Sequence, residues 1–440
     1  MPSEQTLYSH FEKVCLAICD RRKNRVLEAI AWPREAEEHF FASGEDQLPK
    51  IDYRIDLDAI DARVAELREL EKQLQGNSSI FSWLREIVEA HREAVLLIRA
   101  SGTREFYTRS KKLYGSARSA FFGGSTRNID LADHLFERLR IHGWDEACDP
   151  DFKPISASEF RSSLMSRIAN RHPRMDIRVE LDEGITAKVV AGMSRVRIRP
   201  DATFGPWEIE GLWHHEVETH ALSAQNGASQ MLTRFLQSGG PRSTRTQEGL
   251  AIFSELYNRV LSIGRLERLA KRVRLVDMAE QGASFLDLYR HLIAGGSDKR
   301  EAYFDAQRVC RGGLCEGGAP FTKDVCYLAG LLEVYAFLSA VIRGGFRDEV
   351  ELVVCGRVAL DDIAVLAELR AMGILQRPAF LPRWLSEWQT LLPYFAFTSF
   401  MDGIDLEPVE KHFQALIQVA DAASPPSSDN SHQARTGDTN

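Results

Sequence analysis

The sequence is short of several things, and each shortage closes off a class of protein. It has no long hydrophobic run. The longest apolar stretch, Tyr327 to Ile342, contains Glu333 and falls short of the roughly 20 residues that a membrane-spanning helix needs. Positive charge is not in excess. There are 55 Lys and Arg against 63 Asp and Glu, a net charge of −8, whereas nucleic-acid-binding domains tend to be basic. No helix-turn-helix pattern offsets that balance. Cysteines number seven, odd and scattered, so they do not form a disulfide framework. Cys310, Cys315 and Cys326 match no familiar zinc spacing, and free cysteine is usually a small buried hydrophobe. The opening Met1-Pro2-Ser3-Glu4-Gln5 lacks the charged-then-apolar order of a signal sequence. No repeat of solenoid length is visible. The expectation is a soluble protein of a reducing compartment, cytoplasmic, with no nucleic-acid and no membrane partner. Oligomeric state is left open.

What is present is enough for a sizeable core: 440 residues, 44% hydrophobic. The length suggests two or three domains. Residues 1–150 read as a helical region. Ile60, Val64, Leu67 and Leu74 mark one helix face closed by Gly76-Asn77. Ser82 to Arg99 gives a second helix, and Phe106 to Phe122 a third that ends at Gly123-Gly124. Residues 151–423 read as a second domain with a helical C-terminal part. Strand alternation runs through Asp176 to Leu181, with further strands at Ile185 to Val190 and Met193 to Ile198 around Ala191-Gly192. Residues 424–440 are polar, with Pro425-Pro426 and no apolar pattern, and read as a disordered tail. The expected class is α+β, predominantly helical, with a small β-sheet just before the helix described next.

That helix carries the most specific string in the chain, His215-Glu216-Val217-Glu218-Thr219-His220, followed later by Gln247-Glu248-Gly249-Leu250-Ala251. Two imidazoles and a carboxylate can hold a catalytic zinc and leave one position for water. The metal lowers the pKa of that water from 15.7 to roughly 7. His215 and His220 are the candidate imidazole ligands, Glu248 the carboxylate ligand and Glu216 the base. The common zinc-protease helix places its histidines at i and i+4. Here they stand at i and i+5, about 140° apart on an ideal helix of 3.6 residues per turn. They share a metal only if the helix takes in an extra residue, and π-bulges do that. Otherwise His215 lies on a solvated face and His220 in the core.

Gly205-Pro206 starts this helix, and Trp207, Ile209, Leu212, Trp213, Val217, Ala221 and Leu222 give it an apolar pattern as far as Asn226-Gly227. A buried helix that still carries His and Glu needs something to pair them. Thr244 and Thr246 are placed to cap a helix from about Gln247 to Ser262. Glu248 in its first turn would also suit the helix dipole without any metal. Gly249 is a poor helix former, sensible if a neighbouring helix or the metal comes close. An edge strand beside such a metal helix can offer free backbone groups to an extended substrate, or be an ordinary sheet edge. The run Arg265, Arg268, Lys271, Arg272 and Arg274 reads as a solvated basic helix face.

Arg308 to Tyr327 holds the remaining constellation, with four glycines that allow unusual backbone angles and close approach to a ligand. Thr322 would cap a helix on which Lys323 and Tyr327, four apart, share a face.

The two strings together resemble a family of bacterial metallopeptidase-like proteins known by a QEGLA motif and named as modulators of flavohaemoglobin expression. Its eukaryotic relatives are the microtubule-associated tyrosine carboxypeptidases. The resemblance runs from about Tyr53 to about Ala340 and extends through the Lys323-Asp324-x-x-Tyr327 pattern. It implies a zincin-like core of gluzincin type, Zn2+ held by His215, His220 and Glu248, and Glu216 as the catalytic carboxylate. It further implies a carboxypeptidase acting on a peptide or protein C-terminus. In such an enzyme Tyr327 suits the oxyanion donor, and Arg308, Arg311 and Lys323 suit the terminal carboxylate. The same residues also suit a loop held by Arg–Asp pairs around a core tyrosine. The competing function is a non-catalytic regulatory or binding protein on the same scaffold. The intact Glu216 speaks against it, because only hydrolysis needs the base.

Overall fold

Apolar spacing makes helices of most of this chain, and the computed structural model describes residues 4–19, 26–139, 153–185 and 187–401, with a few positions beyond. The polar tail from Ser424 lies outside the described residues. Met1–Trp388 forms one compact unit and Gln389–Asn440 a second. Within the second, residues 389–401 are helical, with Pro393 inside the helix.

The first unit opens with helices whose ends the sequence sets locally. Helix α1 (Leu57–Gln73) is capped by Asp56, which accepts from the Ala59 amide. Helix α2 (Ser79–Arg99) is capped by Ser78 and starts one turn earlier than its apolar pattern. Helix α3 (Arg104–Tyr114) is shorter than the Phe106–Phe122 reading. Gly115, at φ 80°, ends it, and Phe122 is exposed. Helix α4 (Asn128–Leu139) follows. One core gathers Leu67, Leu74, Trp83 and Leu84 with Phe235 and Leu369. Another gathers Trp32 and Phe40 with Val276, Phe285 and Tyr303. Both therefore join the first 150 residues to the later chain.

Helix α5 (Ala157–Arg171) has a full capping box from Ser156 and Glu159. Three strands follow: β1 (Arg178–Leu181), β2 (Val189–Ala191) and β3 (Arg195–Ile198). Their order is β1-β3-β2, with β1 parallel and β2 antiparallel to β3. All three start later than their alternation suggested, and β2 is reduced to three residues. The sheet buries Val179, Val196 and Ile198 against Phe160, Phe204, Trp213 and Val217. β2 is an edge strand beside the histidine-bearing helix.

That helix has three continuous pieces: α6 (Pro206–Leu212), a π-helical segment (Trp213–Ala221) and α7 (Leu222–Ser229). It runs past Asn226-Gly227, expected as a stop, because both residues have interior roles. The Asn226 amide donates to the carbonyls of Val354 and Phe380, and Gly227 lets the backbone of Leu236 pack against the helix. Helix α8 (Pro241–Tyr257) begins six residues before the expected start, since Gly240-Pro241 fixes the first turn. Thr244 and Thr246 are inside it and cap nothing. Thr244 Oγ1 donates to Gly240 O, and Thr246 Oγ1 accepts from Leu360 N. Glu248 is thus well inside the helix, and the first-turn dipole account of it does not apply.

Helix α9 (Ile263–Glu280) carries the basic run, α10 (Lys299–Cys310) leads into the glycine loop, and α11 (Val325–Gly344) holds the longest apolar stretch. α8 and α11 cross at Gly249 and Gly330, where a Cβ on Gly249 would collide with the Gly330 carbonyl. Glu333, the charge in that stretch, pairs with Arg245 of α8 at 2.9 Å. Thr322 is not a cap. Its amide donates to Ser110 Oγ and its hydroxyl shares a hydrogen bond with the same group, each at 2.9 Å. The loop glycines serve packing within the fold. Gly312 at φ 79° faces the Phe106 ring, and Gly317 at φ 97° faces the backbone of Gly282 and Ala283.

Candidate metal centre and active site

The π-helical segment brings His215 and His220 together. Its i to i+5 hydrogen bonding adds a residue to the turn, so the two imidazoles stand side by side, ring centroids 4.9 Å apart at 85°. Local side chains support this winding. Thr219 Oγ1 donates to the His214 carbonyl five residues back at 2.9 Å. His214 Nδ1 is 2.7 Å from the buried Glu218. Burial opposes the charge on Glu218, but His172 and His214 outweigh it and hold its pKa down at about 2. Glu218 is therefore a buried anion that fastens the outer face of the turn.

Glu248 of α8 faces both imidazoles. Its Oε2 lies 3.6 Å from His215 Nε2 and 3.6 Å from His220 Nε2. One ligand atom from each of the three residues falls within 4.8 Å of the others. Behind His215, Nδ1 is 2.7 Å from Glu255 Oε1. With a metal in place, Nδ1–H would donate to that carboxylate and leave the Nε2 lone pair as the ligand, the tautomer a metal ligand requires. Glu255 is held in turn by Arg265 at 3.3 Å.

The electrostatics favour a cation here. Burial disfavours an imidazolium at His215, yet Glu248 and Glu255 outweigh it and raise its pKa to about 10. Burial likewise opposes charge on Glu248, but Lys323, His215 and His220 keep it ionised well below the usual carboxylate range. Two imidazole nitrogens and an ionised carboxylate oxygen, with Glu255 behind His215, fit a zinc ion of three protein ligands.

Glu216 is half-buried beside this set, and its Oε2 accepts from the Ala191 amide at 2.9 Å. Ala191 lies on the edge strand β2. Its outward carbonyl is taken by Arg357, which also reaches the His220 carbonyl, at 3.4 and 3.2 Å. The edge at Ala191 is thus engaged by Glu216 and Arg357 rather than open along its whole length.

The residues of the glycine loop divide. Lys323 Nζ donates to Glu248 Oε1 at 2.7 Å, and Glu248 stabilises the ammonium, raising its pKa against burial. Arg308 makes a two-pronged bond to Asp324, at 3.0 and 2.7 Å. Two of the three cations expected to face a substrate are therefore already paired to protein carboxylates. Arg311 is not. It lies over the Phe321 ring at 5.6 Å, and its Nε is buried with no partner. Tyr327 is half-buried, its ring between Lys323 at 5.0 Å and Arg272 at 4.9 Å. The basic run on α9 is not a solvated face: Arg265 meets Glu255, Lys271 meets Asp305 at 3.4 Å, and Arg272 meets Tyr327.

Reading the sequence missed Glu255, Arg265, Arg272, Arg357 and the Ala191 amide. Glu255 had a signal, since it lies seven residues after Glu248 and so on the same helical face. The others depend on chain crossings that no local spacing encodes.

No curated relative matches the chain. A family model described as microtubule-associated tyrosine carboxypeptidase matches residues 38–403, a span that contains every residue of the cluster just described. The chain belongs to the microtubule-associated tyrosine carboxypeptidase family.

Proposed function

We propose that the protein is a zinc-dependent metallopeptidase with a zincin-like core of gluzincin type, trimming the C-terminus of a peptide or protein substrate. The observation that carries this reading is the convergence of His215, His220 and Glu248 within 4.8 Å with Glu216 beside them on the same helix turn. The family description adds carboxypeptidase action and a terminal tyrosine as the first side chain to try. His215, His220 and Glu248 would hold the metal, which supplies a Lewis acid and an acidified water when bound.

The chain's own residues do the rest. Glu216 takes a proton from the water that adds to the scissile carbonyl carbon, and returns it to the amine nitrogen as the carbon–nitrogen bond breaks. The products are a shortened peptide carboxylate and a free amino acid. The Ala191 amide holds the Glu216 carboxylate, so the base is aimed before substrate arrives. Tyr327 would donate to the developing oxyanion. Six cysteines among the described residues are free thiols, in keeping with a cytoplasmic protein.

The test is metal analysis of the purified full chain, paired with mass-spectrometric profiling of a peptide library for loss of C-terminal residues. About one zinc per chain and removal of single C-terminal residues are expected. Zinc-free protein with no affinity for added zinc would overturn the reading.

A further inference from the structure

The interior next to the candidate site holds more positive charge than its carboxylates neutralise. Arg272, Arg308, Arg311 and Lys323 cluster around Tyr327. Glu248 takes Lys323 and Asp324 takes Arg308. Asp324 is the acid that Arg272 and Arg311 both feel, and Arg308 already holds both of its oxygens. Arg272 and Arg311 lie close enough to repel each other, and each has a shielded Nε with no hydrogen-bond partner. Neither is exposed. Burial first, then the neighbouring Arg308, depresses both guanidinium pKa values to about 10. Burying an unpaired cation costs stability, and such groups persist where something else pairs them.

The arrangement is connected to the candidate metal site. Glu248 bonds to Lys323, Lys323 stands over one part of the Tyr327 ring, and Arg272 stands over the same ring. Arg272 is seven residues beyond Arg265 on α9, two turns along one face. A single helix thus carries both the residue that steadies Glu255 behind His215 and a cation beside Tyr327. Guanidinium forks match a carboxylate in shape as well as charge.

We infer that Arg272 and Arg311 form the receptor for the free α-carboxylate of the substrate's last residue, with Arg308 and Lys323 as the framework that positions it. This rests on the peptidase reading and adds to it the groups that make the enzyme require a free C-terminus.

The test measures binding rather than turnover. Full-length Glu216→Gln protein is titrated calorimetrically with acetyl-Ala-Ala-Ala-Tyr as the free acid and as its C-terminal amide. The acid is expected to bind at least about tenfold more tightly, since bonds between charged partners are stronger than those to a neutral amide. Adding Arg272→Gln or Arg311→Gln removes that preference, leaves amide binding and zinc content unchanged, and leaves Tm unchanged or higher, because an unneutralised buried charge is gone. Arg272→Lys keeps part of the preference. Acid preference surviving in both Gln variants, or absent in the parent, overturns the assignment. A fall in Tm together with weaker binding of both peptides marks the arginines as structural and overturns it too. The two readings separate cleanly. If the native enzyme fails to cleave the acid peptide while the preference depends on the arginines, the receptor stands and the peptidase falls. If the native enzyme trims acid and amide alike, the peptidase stands and the receptor falls.

Discussion

Lys323 Nζ donates to Glu248 Oε1 at 2.7 Å, which leaves Oε2 as the oxygen that faces His215 and His220. The lysine does two things for the carboxylate. It keeps Glu248 ionised in a buried position, and it fixes the rotation that presents one oxygen to the imidazoles. A carboxylate ligand oriented by a second group is the usual arrangement around a metal, and such outer partners affect affinity almost as much as the ligands do.

The ligand set is checked by removing it. His220→Ala and Glu248→Ala are each expected to lose most of the bound zinc, measured by atomic absorption after dialysis, because two remaining ligands make a weak site. Full zinc retention in both variants would sink the assignment.

Binding and catalysis separate at Glu216. Glu216→Gln keeps the shape and the zinc but cannot take a proton, so turnover should fall by about 10²-fold or more. Once a peptide substrate is in hand, steady-state rates decide this. A variant that cleaves at the native rate removes Glu216 from the mechanism.

Glu255 acts through His215. Glu255→Gln leaves the imidazole a weaker partner and Arg265 without its carboxylate, and the expected result is zinc affinity lower by about 10–100-fold. Competition with a calibrated chelator measures it, and unchanged affinity would show that Glu255 only fills space.

Gly249 is where α8 and α11 touch. Gly249→Ala gives a better helix former yet forces a methyl into the Gly330 carbonyl. The crossing should lose about 1–3 kcal/mol, seen as a lower urea midpoint. A midpoint that rises instead would mean that the helices separate freely.

One carboxylate makes stability depend on pH in an unusual direction. Glu280, at the end of α9, accepts from the Tyr107 hydroxyl at 3.3 Å. Burial raises its pKa to about 7, with Asp277 adding to the effect and the Tyr107 bond opposing it. The folded value lies above the unfolded one, about 4.3. The contribution of this group is therefore complete below about pH 4 and is lost as pH rises through 7. Glu280→Gln should melt a few degrees above the native protein at pH 8 and together with it at pH 4. Equal melting temperatures at both pH values would count against the buried acid.

Much of the centre was legible because its signals are local. The i, i+5 spacing of His215 and His220 called for a wider turn if the two were to share a metal, and the helix is π-wound there. Gly249, a poor helix former, pointed to a close approach by a neighbouring helix or a metal, and α11 is what packs there. Composition and periodicity sufficed for a mostly helical chain with a small three-stranded sheet, since period 2 and period 3.6 patterns depend only on nearby residues, and missed the two-residue pairing of Ile155–Ser156 with Thr203–Phe204.

The spacing could not say what each charge faces, because partners separated by tens of residues meet only when helices pack. Lys323 and Arg308 suited either a terminal carboxylate or a loop held by Arg–Asp pairs, and the fold pairs them with Glu248 and Asp324. Arg265 and Arg272 looked solvated, and the fold turns them inward to Glu255 and Tyr327. The sequence by itself singled out His215, His220 and the candidate base Glu216 through residue type and spacing along one helix, and the candidate carboxylate ligand Glu248 in a second string. Only the tertiary structure decided which oxygen of Glu248 is presented, which carboxylate steadies His215 and that Arg272 and Arg311 meet aromatic rings rather than a carboxylate of their own. Those depend on the crossings of α8, α9 and α11, where a buried charge is satisfied or left unpaired by whatever the neighbouring helix brings.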